Sequence, residues 1–317
     1  MKWVRALLDP FMVLILLALV LGLVLPLPTA AIDGVGVAGD VAIFLLFFVY
    51  GLRLSTREVL GGLRNWRLQS SIFGSTYVLF PLLGLLIAAV AEPLIGATLA
   101  TGMLYLTLLP STVQSSVAFV SVARGNVAGA ICAATLSNVA GMVLTPLLVL
   151  WLMGASGSQG MGGIQAVLLQ LLLPFVVGQL LQPFFGSWVR AHAGITKVLD
   201  RGTVVLLVFG AVLSATADGV WQQVSPLMLV ALLGLSGVLL AVMLSVTWYG
   251  GRGLGLDRGD RIALLMCGSK KSLATGLPMA LVLFTPAVAA TIAVPVIIFH
   301  QLQLVVCAAL ARRLADA

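Results

Sequence analysis

The chain has 317 residues, of which 61% are hydrophobic and 9% are charged. Soluble domains carry about 25% charged residues, so this chain could not cover its surface in water, and we exclude soluble enzymes, disordered chains and disulfide scaffolds. The composition predicts an all-α, polytopic protein whose main partner is the lipid bilayer. The net charge of +7 does not indicate nucleic acid, because the basic residues form no long run. We assign it to basic cytoplasmic loops.

Ten segments are apolar enough to span a bilayer core of about 30 Å, which needs about 20 residues per helix. In chain order they are 6–25, 36–53, 68–90, 97–122, 127–153, 162–183, 202–217, 225–250, 262–284 and 287–311. The first segment resembles a signal peptide, because Lys2 and Arg5 precede it. The apolar run from Leu7 to Leu25 is long for such a signal, and we expect a retained helix.

The basic residues test this topology independently. One alternating set of connections contains Asp33, Glu92 and Asp218 but no Lys or Arg. The other set contains Lys2, Arg5, Arg53, Arg57, Arg64, Arg67, Arg124, Arg190, Lys197, Arg201, Arg252, Arg258, Arg261, Arg312 and Arg313. Since basic loops stay in the cytoplasm, we expect a plasma- or inner-membrane protein with both termini cytoplasmic.

The spans divide into two groups of five around the Gly/Ser-rich connector 154–160. Five is odd, so the second group enters the membrane in the opposite sense, as in the inverted repeats of secondary transporters. We therefore predict two inverted five-helix repeats, 1–153 (spans one to five) and 162–317 (spans six to ten). We expect them to interleave into one membrane domain.

The fourth span of each repeat carries a cluster of polar and helix-breaking residues. The members in the two spans are Pro110, Gln114, Ser115 and Ser116, then Gly268, Ser269, Lys270, Lys271 and Ser272. Breaks in a lipid-exposed helix leave backbone groups unsatisfied, so they survive where they line a cavity. Two broken helices at corresponding positions predict a substrate site near the midplane.

The adjacent lysines are the least expected residues of the sequence. Lys270 follows Arg261 by nine residues, about 13 Å along a helix, which is too deep for the side chain to reach the surface. Asp40 is the one acid that falls within a span, and it lies near the end of that span. A lysine without a carboxylate partner either loses its proton or is neutralised by an anion, which a helix N-terminus would also favour. These residues predict a site for a small organic anion, or a lysine that changes protonation; which lysine faces the site stays open.

Other polar residues lie at similar depth. His300 and Gln301, with Gln303, lie in the tenth span, and Thr135 and Asn138, with Ser137, in the fifth. Each is a site residue or an ordinary packing residue. The three cysteines, Cys132, Cys267 and Cys307, lie in apolar stretches and are expected to be buried free thiols rather than metal ligands.

Several motifs resemble those of the bile acid:sodium symporter family. They are 110–116 with its continuation 123–128, the segment 48–54, Pro81, and the segments 267–274 and 299–304. The last two are closest to the bacterial YfeH-type, bile acid symporter-like branch. The resemblance covers about residues 5–313. It implies a core and a panel domain, spans four and nine crossing at the centre, and sodium-driven uptake of organic anions such as bile acids.

The resemblance also implies where a sodium ion would bind. Its hydroxyl ligands fall on Ser115 and Ser116, but its glutamate position falls on Met266 and its glutamine position on Lys270. Sodium prefers several oxygen ligands, and an ammonium repels it. Lys270 is therefore a candidate tethered substitute for the ion. Sodium, a proton or no coupling ion at all remain open, and no other cofactor is expected.

Two further interpretations belong to other functional classes. An intramembrane enzyme could use a lysine to activate Ser269 or Ser272 as a nucleophile, and a lysine could carry a retinal-type Schiff base. A membrane regulator without transport activity is also compatible with the sequence. We expect a transporter rather than an enzyme, either monomeric or homodimeric.

Overall fold

The computed structural model describes residues 10–54, 65–154, 165–166 and 168–316, and nearly all of them are helical. The helices are α1 Pro10–Val24, α2 Thr29–Arg53, α3 Trp66–Gly74, α4 Phe80–Leu108, α5 Gln114–Val122, α6 Val127–Met153, α7 Leu173–Ala191, α8 Ala193–Ala217, α9 Pro226–Gly253, α10 Arg258–Gly268, α11 Leu273–Leu283 and α12 Pro286–Asp316. Two π-helical turns, Ser75–Leu79 and Leu168–Leu172, and a short 3₁₀ turn, Val220–Gln223, complete them.

Seven helical segments within the described ranges are long and apolar enough to cross a membrane. The chain is therefore an all-helical, multi-pass membrane protein. Helix α1 is shorter, at 15 residues, and the ninth predicted span consists of two 11-residue helices, α10 and α11. The third span and the start of the fourth form one segment, Trp66–Leu108, interrupted by Gly96 with a φ of 77°. Such a φ suits glycine, which has no Cβ to clash. The ten-span topology and its orientation stay predictions.

The distribution of side chains is the reverse of that in a soluble protein, with large apolar side chains on the surface and polar side chains buried. Large apolar side chains such as Leu180, Leu227 and Trp151 are more than two-thirds exposed, while Lys270 and Gln303 are fully buried. Apolar outer surfaces suit lipid, and polar groups in lipid need protein partners. Asp40 is exposed on α2.

The chain forms two compact units, each with segments from both predicted repeats. The first comprises Met1–Ser55, Pro146–Val224 and Gly276–Ala293. In it α2 and α7 approach closely at glycines: a Cβ on Gly51 would meet the Phe175 carbonyl oxygen, and one on Gly178 that of Phe48. The Tyr50 hydroxyl donates to the carboxylate of Asp200, a buried acid on α8.

The second unit comprises Thr56–Thr145, Ser225–Thr275 and Val294–Ala317. Its apolar core contains Leu68, Val120, Met266, Cys267 and Cys307 among others. The three cysteines are buried free thiols, as predicted.

At one end of the second unit, the buried carboxylate of Asp260 joins three elements. It accepts hydrogen bonds from the side-chain amides of Asn65 at 2.6 Å and Asn126 at 2.7 Å. Asp257 caps α10 by accepting from the Asp260 N–H at 2.8 Å. These bonds fix the starts of α3, α6 and α10 relative to one another.

Candidate functional site

Two non-helical segments interrupt the second unit where the sequence places its helix breakers. Helix α4 ends at Leu108, and the next residue, Leu109, is extended, with a φ of −73° and a ψ of 155°. A residue before proline is driven out of the helical region, and Pro110 itself has no N–H to donate. Helix α10 ends at Gly268, and α11 begins at Leu273.

The two segments contact each other through backbone groups that the breaks leave without helical partners. The Ser272 N–H donates to the Pro110 carbonyl at 2.8 Å, and the Ser111 hydroxyl to the Cys267 carbonyl at 2.6 Å. The Ser116 hydroxyl donates to the Met266 carbonyl at 3.1 Å. Each segment therefore satisfies part of the other's backbone, which buried polar groups require.

Helix α6 supplies further partners through Ser137 and Asn138. The Ser137 hydroxyl accepts from the Ser111 N–H at 3.0 Å, and the Asn138 amide donates to the Ser111 carbonyl at 2.7 Å. The Asn138 carbonyl oxygen accepts from the Thr275 hydroxyl at 2.7 Å. Asn138 thus joins the segment after α4 to the first turn of α11. Thr135 is half-buried on the same helix and makes none of these contacts.

The ammonium of Lys271 is enclosed by main-chain carbonyls. Its Nζ donates to Thr76 O at 2.8 Å, Thr107 O at 2.8 Å and Leu109 O at 2.6 Å, and lies 4.2 Å from the centroid of the Phe80 ring. Three donors meet three acceptors, which is the full capacity of an ammonium group. Two of the carbonyls lie at the C-terminal end of α4, where the helix dipole favours a cation.

Gln303 on α12 holds the backbone of Lys271. Its Oε1 accepts from the Lys271 N–H at 2.9 Å, and its Nε2 donates to the Lys271 carbonyl at 2.8 Å. The same Nε2 lies 2.9 Å from Nδ1 of His300. His300 and Gln301 are also predicted site residues on α12. His300 therefore contacts the Lys271 backbone through Gln303. Within the described part of the chain, both amide atoms of Gln301 are buried without a hydrogen-bond partner.

Lys270 has a different environment although it is fully buried as well. Its Nζ makes one long hydrogen bond, 3.4 Å to the Ser115 hydroxyl, and lies 4.4 Å from the centroid of the Phe119 ring. Ser115 belongs to the first turn of α5, whose N-terminus carries partial positive charge. An ammonium at this position is poorly compensated, since the dipole opposes it and none of its contacts with the described residues is to a carboxylate. Asp260, a buried acid among the described residues of this unit, is bonded to Asn65 and Asn126 instead.

The residues around Ser115 and Ser116 do not suit a sodium ion. The Ser115 hydroxyl donates to Thr112 Oγ1 at 3.0 Å, and Thr112 also shares a hydrogen bond with Ser116 at 2.8 Å. A lysine Nζ lies beside these oxygens, and none of the hydrogen bonds that they make with described residues is to a carboxylate. Among the described residues there is also no cluster of three His, Cys, Asp or Glu that could hold a metal.

The remaining predicted site residues are Ser269, Ser272 and Gln114. The Ser269 hydroxyl donates to the Leu265 carbonyl, and that of Ser272 pairs with Thr275 at 3.0 Å. The contact of Lys270 is with Ser115, so the geometry does not pair it with either predicted nucleophile. Gln114 is exposed at the start of α5.

Gln303 was named in the sequence only beside His300 and Gln301, and several other contacting residues were not among the predicted site residues. They are Thr76, Phe80, Thr107, Thr112, Phe119 and Thr275. The hydroxyls at 112 and 275 and the amide at 303 were visible as polar side chains inside apolar spans. The others contribute carbonyls or rings, which the residue type alone does not reveal.

The chain matches the SBF-like CPA transporter family over residues 9–316. It is 44% identical over 278 residues to "Uncharacterized protein PA2026" of Pseudomonas aeruginosa, covering 87% of this chain and 84% of that protein. It is 43% identical over 273 residues to "Putative symporter YfeH" of Escherichia coli strain K12, covering 86% of this chain and 82% of that one. A more distant relative is mouse sodium/bile acid cotransporter 7, 25% identical over 268 residues, with 83% and 79% covered. Because the family match spans almost the whole chain, this protein belongs to the SBF-like CPA transporter family.

Proposed function

We propose that the protein is a secondary transporter of a small organic anion, and that the ammonium of Lys270 neutralises the charge of that anion. The observation that carries the proposal is the environment of Lys270: full burial, one long hydroxyl contact and a neighbouring helix N-terminus. A buried cation without a partner is costly. An anion beside Lys270 and the first turn of α5 would remove that cost.

The same reasoning supports a proton as the coupling ion. Without an anion, the neutral amine is the less costly form of Lys270 because it needs no counter-charge. When a monovalent anion binds, the amine takes one proton and the two charges cancel. Release of the anion then favours release of the proton, so one anion and one proton cross together as a neutral pair. Such a cycle needs no sodium.

The surroundings of Lys270 fit such a cycle. The titratable groups that interact electrostatically with Lys270 include the thiols of Cys267 and Cys307 and the imidazole of His300, and Lys271 is next in sequence. None of them is a carboxylate that would hold Lys270 permanently charged. The half-buried Ser115 and the exposed Gln114 provide polar contacts on the accessible side of α5.

We further propose the family-type architecture around this site. In it, ten spans form two inverted repeats, spans four and nine are broken and cross at the midplane, and both termini are cytoplasmic. The mutual contacts between the segment following α4 and the segment following α10 support the crossing. The name of the mouse relative supports bile acids or similar organic anions as the substrate class.

Uptake into sodium-free proteoliposomes tests the function. We expect radiolabelled taurocholate or benzenesulfonate, both permanent anions, to accumulate when the interior is alkaline and the membrane potential is clamped. Lys270→Met should abolish this uptake. Lys197→Met, the same change at an exposed lysine, should leave it unchanged. Uptake that requires sodium, or wild-type rates from Lys270→Met, would contradict the proposal.

A further inference from the structure

We infer that the carbonyls of Thr76, Thr107 and Leu109 form a binding site for a monovalent cation, which this chain fills with its own Lys271 ammonium. The site is distinct from the proposed anion site at Lys270. Its occupant is held covalently, so no dissolved cation is needed there. The inference does not depend on whether the protein transports an anion.

The Thr76 carbonyl is available because of a local feature of the sequence. In an α-helix it would accept from the Phe80 N–H, but that N–H donates to Ser75 O across the π-helical turn. The next N–H along would belong to residue 81, which is a proline and has none. The turn and Pro81 together leave Thr76 O without a helical donor, and Lys271 supplies one at 2.8 Å.

The other two carbonyls are available because α4 ends at Leu108. The helical donor for Thr107 O would be the Ser111 N–H, which is bonded to Ser137 instead. Leu109 lies beyond the helix in extended conformation. The intervening Leu108 carbonyl has its own side-chain donor, the Thr145 hydroxyl at 2.8 Å. Within the described residues, the carbonyls of Thr107 and Leu109 have no such donor, and they are the ones that Lys271 contacts.

The occupant of this site must carry a positive charge. All three oxygens are carbonyl acceptors, so a neutral amine would direct its lone pair at one of them. The Phe80 ring, 4.2 Å from Nζ, adds a π face that favours positive charge. Gln303 fixes the Lys271 backbone on both sides, which holds the ammonium in place.

A rescue experiment tests the inference. Lys271→Ala would be expressed and purified in methylammonium chloride, then exchanged into methylammonium, ammonium, potassium or choline chloride at equal ionic strength. We expect the melting temperature of this variant to be lowest in choline, which is too large for the site. It should rise with methylammonium, ammonium or potassium and saturate with concentration. The wild-type protein should melt at one temperature in all four salts.

Two variants serve as controls. Lys271→Met fills the same space with an apolar side chain, so its melting temperature should be low and independent of the cation. Lys270→Ala removes an ammonium that contacts no carbonyl cage and should show no rise with methylammonium. Equal melting of Lys271→Ala in the four salts, or an equal rise in Lys271→Met, would overturn the inference.

A measurement on the intact side chain covers the case in which Lys271→Ala does not fold. Protein with ¹⁵N-labelled lysine Nζ should show one ammonium signal whose protons exchange slowly with water, because all three are hydrogen-bonded. That signal should persist in Lys270→Met, which identifies it as Lys271. Absence of a slowly exchanging ammonium would overturn the inference independently of the variant.

Discussion

Lys270 and Lys271 are neighbours in sequence, yet their ammonium groups lie at helix ends of opposite polarity. Nζ of Lys271 contacts carbonyls at the C-terminal end of α4, while Nζ of Lys270 lies 3.4 Å from the hydroxyl of Ser115 in the first turn of α5. A helix C-terminus stabilises a cation and an N-terminus does not. The surroundings of Lys271 therefore compensate its positive charge, whereas those of Lys270 do not.

This difference predicts opposite effects of the same substitution on stability. Lys271→Met leaves three buried carbonyls without a donor, at about 1–3 kcal/mol each, so the melting temperature should fall strongly. Lys270→Met replaces a poorly compensated buried amine with an apolar side chain of similar length, so stability should be unchanged or higher. Thermal unfolding of the two variants in the same detergent compares them directly. A larger loss for Lys270→Met would reverse the assignment of roles.

Gln303 is predicted to be a structural residue of the site. Gln303→Leu removes both hydrogen bonds to the Lys271 backbone and leaves a buried N–H and a buried carbonyl unsatisfied, for a loss of about 2–6 kcal/mol. His300→Leu removes one contact to Gln303 and should cost less. Chemical unfolding monitored by tryptophan fluorescence would rank the two. The prediction fails if His300→Leu is the more damaging change.

Two glycines in the first unit should be intolerant of alanine. A Cβ on Gly51 or Gly178 would collide with a backbone carbonyl of the facing helix, which cannot move aside as a side chain can. We expect either variant to lower the yield of folded protein, measured as the monodisperse fraction in gel filtration. Gly34→Ala is a matched control on the same helix as Gly51, since nothing lies within 4 Å of its Cβ. It should be neutral or stabilising by about 1 kcal/mol.

The sequence predicted the helical membrane class and most helix positions, because apolar runs of fixed length leave few alternatives. In the structure α4 ends at Leu108, two residues before Pro110, and α10 ends at Gly268. The sequence did not reveal the kink at Gly96, since a positive φ leaves no mark beyond the glycine itself. Nor did it identify Asp200 and Asp260 as buried, because both lie just before predicted spans, where an exposed acid is equally ordinary.

The sequence also predicted part of the candidate site. Polar residues in apolar spans marked Ser115, Ser116, Asn138 and the lysine pair, and these do come together within the second unit. The sequence could not show which of the two lysines faces the site. Both lie in a non-helical segment, so regular helix geometry does not give the directions of their side chains. The cage around Lys271 consists of carbonyls, which every residue has, and only the backbone path shows which of them are free.

Lys270, rather than a dissolved cation, is proposed to supply the positive charge beside Ser115 that neutralises the transported anion. The most direct test compares the melting temperature of the purified wild-type protein in sodium, potassium and choline chloride at equal ionic strength. A native-state site filled a hundredfold above its Kd would add about 2.7 kcal/mol. We predict the same melting temperature in all three salts. A rise that is specific to sodium and saturates with its concentration would contradict the account.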